Sequence, residues 1–187
     1  MNVLEDAISF AVKCHSGQTR KMSKTPYVLH PLEVASIIAT MTDDIEIMAA
    51  GVLHDTVEDC GVDPREIKER FGSRVAALVQ SETEDKLSLR PPAETWKERK
   101  SESLLMLRYT HDTGVKILWL ADKLSNIRSF YRAFLKEGDA VWQHTNQKDP
   151  LEQAWYYRTI LEYLADLSDK CAYAEFSDLV SKIFSNK

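Results

Sequence analysis

Leu4, Ala7, Ile8, Ala11 and Val12 recur at intervals of three and four, and this spacing predicts a first helix over residues 2 to 15. The polar run HSGQTRKMSKTPY follows as a loop. Pro31 suits the first position of a second helix, with Leu32, Val34, Ala35 and Ile38 on its apolar side. Asp43 or Asp44 caps the next helix, which carries AAGVLHDTVED, residues 49 to 59. CGVDPREIKERFG reads as a turn, a proline-started helix and a glycine stop, and SRVAALVQ as another helix behind a serine cap. LSLRPPAET is a loop and WKERKSESLLMLRY is helical. VKILWLADKLSNIRSF opens with strand-forming residues. Even so, Ile117, Leu120, Ala121, Leu124 and Ile127 keep the helical period, and length favours a helix. EGDAVWQHTNQKDP is a loop with room for one turn, and two helices near 151–168 and 171–185 close the chain. No segment alternates as a strand, and no repeat or linker divides the sequence. The expected fold is one all-α domain over residues 1–187.

The chain has 187 residues, 44% hydrophobic and 28% charged, enough for one domain with a sizeable core. A net charge of -5 argues against nucleic-acid binding, which needs a basic face, but a local basic cluster can still take a small anion. No apolar run approaches the roughly 18 residues of a membrane span. MNVLEDAISF lacks the basic start of a signal peptide. Cys14, Cys60 and Cys171 are scattered and odd in number, so neither a disulfide framework nor a CxxC metal site is expected. These features predict a soluble, cytoplasmic protein with no nucleic-acid or membrane partner. They leave a homo-oligomer open.

AAGVLHDTVED begins as a core helix and ends in acid. On a continuous helix of about 100° per residue, Asp55 lies about 100° from His54, Glu58 about 40° and Asp59 about 140°. All four then share less than half the circumference, with His54 above Glu58 and Asp55 above Asp59. Two readings stand. One is a solvated acidic helix end, which the helix dipole disfavours at a C-terminus. The other is a divalent cation held by one imidazole and neighbouring carboxylates, with positions left for water. Further ligands would have to come from elsewhere. His30 precedes Pro31 at a helix start. Asp122 lies inside the apolar WLADKLSN, where an unpaired acid is rare, and Asn126 follows one turn later on the same face. His30, His54, Asp55 and Asp122 together bring two imidazoles and two carboxylates from three helices.

H…HD…D in this order resembles the HD-domain metal phosphohydrolases. AISFAVKCHSGQTRK, TPYVLHPLEVASII, AAGVLHDTVED, FGSRVAALV, TEDK, WKERK and ADKLSNIRS follow one another as in the Rel/SpoT hydrolase domain. The chain resembles its stand-alone form, the small alarmone hydrolases, over residues 5 to 135. The resemblance implies that His30, His54, Asp55 and Asp122 ligate a metal, with Mn²⁺ usual for the family. It implies that Glu58 and Asp59 orient or deprotonate the attacking water, that Arg20 and Lys21 lie near the nucleotide, and that Asn126 lines its pocket. The implied reaction removes pyrophosphate from the 3′ position of guanosine 3′,5′-bis(diphosphate), ppGpp, or its pentaphosphate relative. Other nucleotides, adenosine-based alarmones or NADPH, are the alternative substrates, and a catalytically silent nucleotide-binding domain is the third reading.

Substrate charge must be met by basic side chains. Arg20 and Lys21 are either solvated loop charges or phosphate and purine contacts. Lys86, Lys97, Arg99, Lys100, Lys123 and Arg128 are further candidates, and the resemblance favours Lys86 and Lys97. In WYYR, residues 155 to 158, the aromatics read as core, or else a tyrosine hydroxyl and Arg158 reach a phosphate. A synthetase or regulatory domain of the long Rel enzymes would need several hundred more residues, so alarmone synthesis is not expected.

Overall fold

The computed structural model describes residues 2–21, 23–84, 89–185 and 187, and among these it is all-α. The helices are α1 (Val3–Cys14), α2 (Leu29–Ile38), α3 (Ile45–Leu53), α4 (Thr56–Cys60), α5 (Pro64–Phe71), α6 (Ser73–Glu82), α7 (Pro92–Tyr109), α8 (Thr113–Glu137), α9 (Pro150–Tyr163) and α10 (Cys171–Phe184). A 3₁₀ helix over Gly138–His144 follows α8, and another over Ala165–Leu167 ends the helical run that the periodicity extends to 168. One isolated bridge, Thr19 to Pro26, closes the loop after α1.

Local chemistry explains most of the boundaries. Asn2 and Glu5 form a reciprocal capping box at the start of α1. Asp44 is the residue that caps α3, accepting from the Glu46 N–H at 3.0 Å. Asp63, Asp112 and Asp149 cap α5, α8 and α9 in the same way. Two expectations change. Pro31 is the third residue of α2, not the first, because the turn at Tyr27–Val28 already has helical geometry. Proline costs nothing there, since first-turn N–H groups have no partner inside the helix. Ser73 does not cap α6. Gly72 holds the cap position at φ 96, a conformation open to glycine, and makes no side-chain bond.

The core sits around α3 and the first half of α8. Ala49, Ala50, Val52, Leu53, Leu118, Leu120, Ala121 and Leu124 are fully buried. α3 is apolar all round because α1, α2, α6 and α8 surround it. Among the described residues no helix is long and apolar enough to cross a membrane.

Gly51 sets how closely α2 and α3 approach. A Cβ there would lie 2.5 Å from Ile38 Cδ1 and 3.2 Å from Val34 Cγ1. Gly51→Val is expected to cost about 1–3 kcal/mol of stability by overpacking, measured by urea unfolding. An unchanged midpoint would mean that the α2–α3 contact relaxes freely.

Candidate metal centre and cleft

Two helices and one helix junction supply the centre. His30 comes from the first turn of α2, His54 and Asp55 from the junction of α3 and α4, and Asp122 from the middle of α8. The expected continuous helix over HDTVED is interrupted. α3 ends at Leu53, Asp55 stands at the N-cap of α4, and Gly61 at φ 68 ends α4. Glu58 and Asp59 therefore lie in a short new helix rather than at the end of a long one, and the dipole argument against a solvated acid no longer applies. The i, i+4 register survives, with the Asp59 N–H donating to the Asp55 carbonyl at 2.8 Å. Asp55 makes no capping bond despite its cap position. Its carboxylate faces the centre instead.

The four side chains converge. His30 Nε2 lies 3.0 Å from Asp122 Oδ1 and 3.5 Å from Asp55 Oδ2. His54 Nε2 lies 3.1 Å from Asp55 Oδ2 and 3.5 Å from Asp122 Oδ1. His30, His54 and Asp122 are buried, with ligand atoms within 4.8 Å of one another. His54 Nδ1 donates to the Gly51 carbonyl at 2.8 Å, so in the neutral ring the Nε2 lone pair points inward, and that buried atom makes no hydrogen bond. Acceptors facing one another in this way need a positive charge between them. A proton is one such charge. Burial opposes it on His54, but Asp55 and Asp122 outweigh burial and raise that imidazole well above its ordinary pKa. His30 is lowered by burial. A divalent cation is the stronger solution, and two imidazoles with two carboxylates fit one.

The support around these four side chains is polar and half-buried. The Tyr27 hydroxyl donates to Asp55 Oδ2 at 2.7 Å, and Asn126 Nδ2 to Asp122 Oδ1 at 2.7 Å. Lys123 pairs with Asp122 and, at 3.3 Å, with Glu82. Burial pushes the Glu82 carboxyl up to about 7, against the pull of Lys123.

The centre forms the floor of a cavity of about 280 Å³ that shares Tyr27, Glu58, Arg99, Lys100, Asn126 and Asn146 with a larger cleft of about 550 Å³. Glu58 lines both cavities and Asp59 the larger one. Glu58 Oε2 accepts from the Glu84 N–H at 3.4 Å. Arg20 and Lys21 line the larger cleft. Arg20 donates to Asn126 Oδ1 at 3.1 Å and lies 5.6 Å above the Tyr27 ring.

Other basic candidates fall elsewhere. Lys97 lines neither cavity: it pairs with Glu152 and sits 3.2 Å over the Trp155 ring. Arg158 also lines neither, and donates to the Phe184 carbonyl at 2.8 Å, at the end of α10. Lys86 lies outside the described residues. Arg99 and Lys100, ranked below Lys97 from sequence, do face the cavity, both paired with Glu84. The signal was present in the spacing. Arg99 and Lys100 stand three and four residues after buried Trp96 and share its face, whereas Lys97 is turned about 100° away. In WYYR, Tyr156 is buried, while Tyr157 packs against Phe176 and Phe184 and also lines the larger cleft.

Residues 7–150 match a family model described as an HD domain. The chain belongs to the HD-domain family. A guanosine-3′,5′-bis(diphosphate) 3′-pyrophosphohydrolase of Vibrio cholerae is 37% identical over 130 residues, covering 69% of this chain and 18% of that relative. The chain spans only 15% to 22% of the curated relatives it matches. A Listeria monocytogenes protein known from its crystal structure is 34% identical, with a TM-score of 0.72 over 84% of this chain and 94% of its own. The structure of a metazoan SpoT orthologue that hydrolyses ppGpp shares the fold, with a TM-score of 0.74 at 24% identity over 99% of this chain and 95% of its own. The HD domain thus resembles the Rel/SpoT hydrolase domain in sequence and the stand-alone enzyme in fold.

Proposed function

We propose that this HD domain is a metal-dependent alarmone hydrolase that removes pyrophosphate from the 3′ position of ppGpp, working in the cytoplasm with Mn²⁺ as its ion. The observation that carries this reading is the convergence of His30, His54, Asp55 and Asp122 on one point at the floor of a cleft with basic walls. A divalent ion there lowers the pKa of water and screens phosphoryl charge. The protein's own side chains do the rest. His30, His54, Asp55 and Asp122 hold the ion. Their lone pairs are thereby occupied, so the proton of the attacking water passes to the Glu58/Asp59 pair. The water oxygen bonds to the phosphorus next to the ribose, the bond from that phosphorus to the 3′ oxygen breaks, and the 3′ oxygen gains a proton, leaving GDP and pyrophosphate. Arg20, Lys21 and Asn126 meet the nucleotide, and Lys100 and Arg99 face its phosphates. Neutralising several phosphate charges takes such a wall in a chain of net charge -5.

The test is turnover of ppGpp by protein stripped with a chelator and resupplied with Mn²⁺, the products resolved by anion exchange. GDP and pyrophosphate are expected only with metal. Turnover of an adenosine alarmone or NADPH in place of ppGpp would keep the metal chemistry and overturn the substrate. No turnover of any of them would overturn the reading.

A further inference from the structure

The two imidazoles of the centre are held differently from behind. His54 Nδ1 rests on a backbone carbonyl, that of Gly51. His30 Nδ1 lies 2.8 Å from the Ser125 hydroxyl, which in turn donates to Glu33 Oε2 at 2.8 Å. The directions follow from proton counting. Ser125 has one hydroxyl proton and the carboxylate takes it, so the Ser125 oxygen must accept from His30 Nδ1–H. That leaves His30 Nε2 bare and aimed at the centre.

The relay is built into the fold. Ser125 is three residues after Asp122, so the same face of α8 presents one ligand and supports another. Ser125 is 1% exposed. Glu33 is one turn after His30 on α2, and its other oxygen accepts from Arg128 at 3.1 Å. Arg128 is held by both oxygens of Glu175 on α10, at 2.6 Å each. A carboxylate behind a ligating imidazole fixes its tautomer and raises its basicity toward a metal.

We propose that Glu33, acting through Ser125, positions His30 and sets the metal affinity of the centre, an inference that rests on reading the centre as a metal site. Both are positioning residues, since neither faces the cavity. Without the Glu33 carboxylate, the Ser125 hydroxyl is free to turn and donate to Nδ1. The His30 proton then moves to Nε2, where it opposes the cation.

The experiment is a Mn²⁺ titration of stripped protein, read by loss of the free-ion electron paramagnetic resonance signal, with Co²⁺ absorption as a report on ligand geometry. Ser125→Ala and Glu33→Ala are expected to raise the Mn²⁺ dissociation constant by about tenfold or more and to shift the Co²⁺ bands. Ser125→Thr and Glu33→Gln, which keep a hydroxyl and an acceptor in place, should recover part of the loss. Should Ser125→Ala not fold, Glu33→Ala decides, because its side chain is 30% exposed and its removal leaves Arg128 paired with Glu175. Wild-type affinity in Glu33→Ala would overturn the relay while leaving the metal centre intact. Absence of Mn²⁺ binding by the wild type would overturn the metal reading itself.

Discussion

Asp55→Ala is expected to lose tight Mn²⁺ binding and to lower turnover at least about 10³-fold, the scale of several kcal/mol of charge stabilisation supplied by a metal. One oxygen of Asp55 closes the centre on two sides, 3.1 Å from His54 Nε2 and 3.5 Å from His30 Nε2. Alanine leaves two imidazoles and the single carboxylate of Asp122, which Lys123 and Asn126 already engage. The fold should survive. Asp55 makes no capping bond to α4, so the helix start loses nothing. The losses are one partner for the partly buried Tyr27 hydroxyl, worth about 1 kcal/mol, and, in the metal-free protein, the 3.1 Å pair with His54 Nε2. Three measurements on one sample check this: a thermal melt, a Mn²⁺ titration and ppGpp turnover. A variant that melts like the wild type and still takes up Mn²⁺ with full affinity would remove Asp55 from the ligand set.

Glu58→Gln is expected to behave in the opposite sense toward the metal. The residue lines both cavities and stands outside the set of four side chains that converge on the centre. Glutamine keeps an oxygen able to accept from the Glu84 N–H, so the wall of the cleft should hold its shape. It cannot take a proton from water. The expected result is wild-type Mn²⁺ affinity, KM within a few-fold, and kcat lower by about 10²–10⁴, the range of a lost general base. Asp59→Asn, made beside it, separates the two carboxylates by the size of the fall. Full rate in both variants would place proton transfer on another group.

The periodicity of apolar positions specified the helices well, including the ambiguous stretch from Val115, where helical spacing prevailed over strand-forming residues. Ends were legible where one residue type punctuates the chain, as at the Asp44 cap and at the Pro64 start and Gly72 stop of α5, and misread where the backbone sets the boundary, as at Ser73 and Pro31. Of the four converging side chains, Asp122 stood out because an acid inside an apolar helix is costly without a partner, and that cost is visible in one dimension. The basic wall was harder. Lys97, Arg99 and Lys100 are nearly equivalent in sequence, and only the direction set by buried Trp96 separates them.

The sequence by itself determined the helical class and singled out the imidazoles and carboxylates that converge, with the acid pair beside them, because each depends on local period or on the chemistry of a side chain. Tertiary structure decided the break between α3 and α4, the place of Tyr157 on the cleft, the removal of Lys97 and Arg158 from it, and the path from Glu33 through Ser125 to His30. These depend on distances between helices far apart along the chain. Hydrogen bonds between residues more than ninety positions apart, such as His30 to Ser125, leave no trace in local spacing.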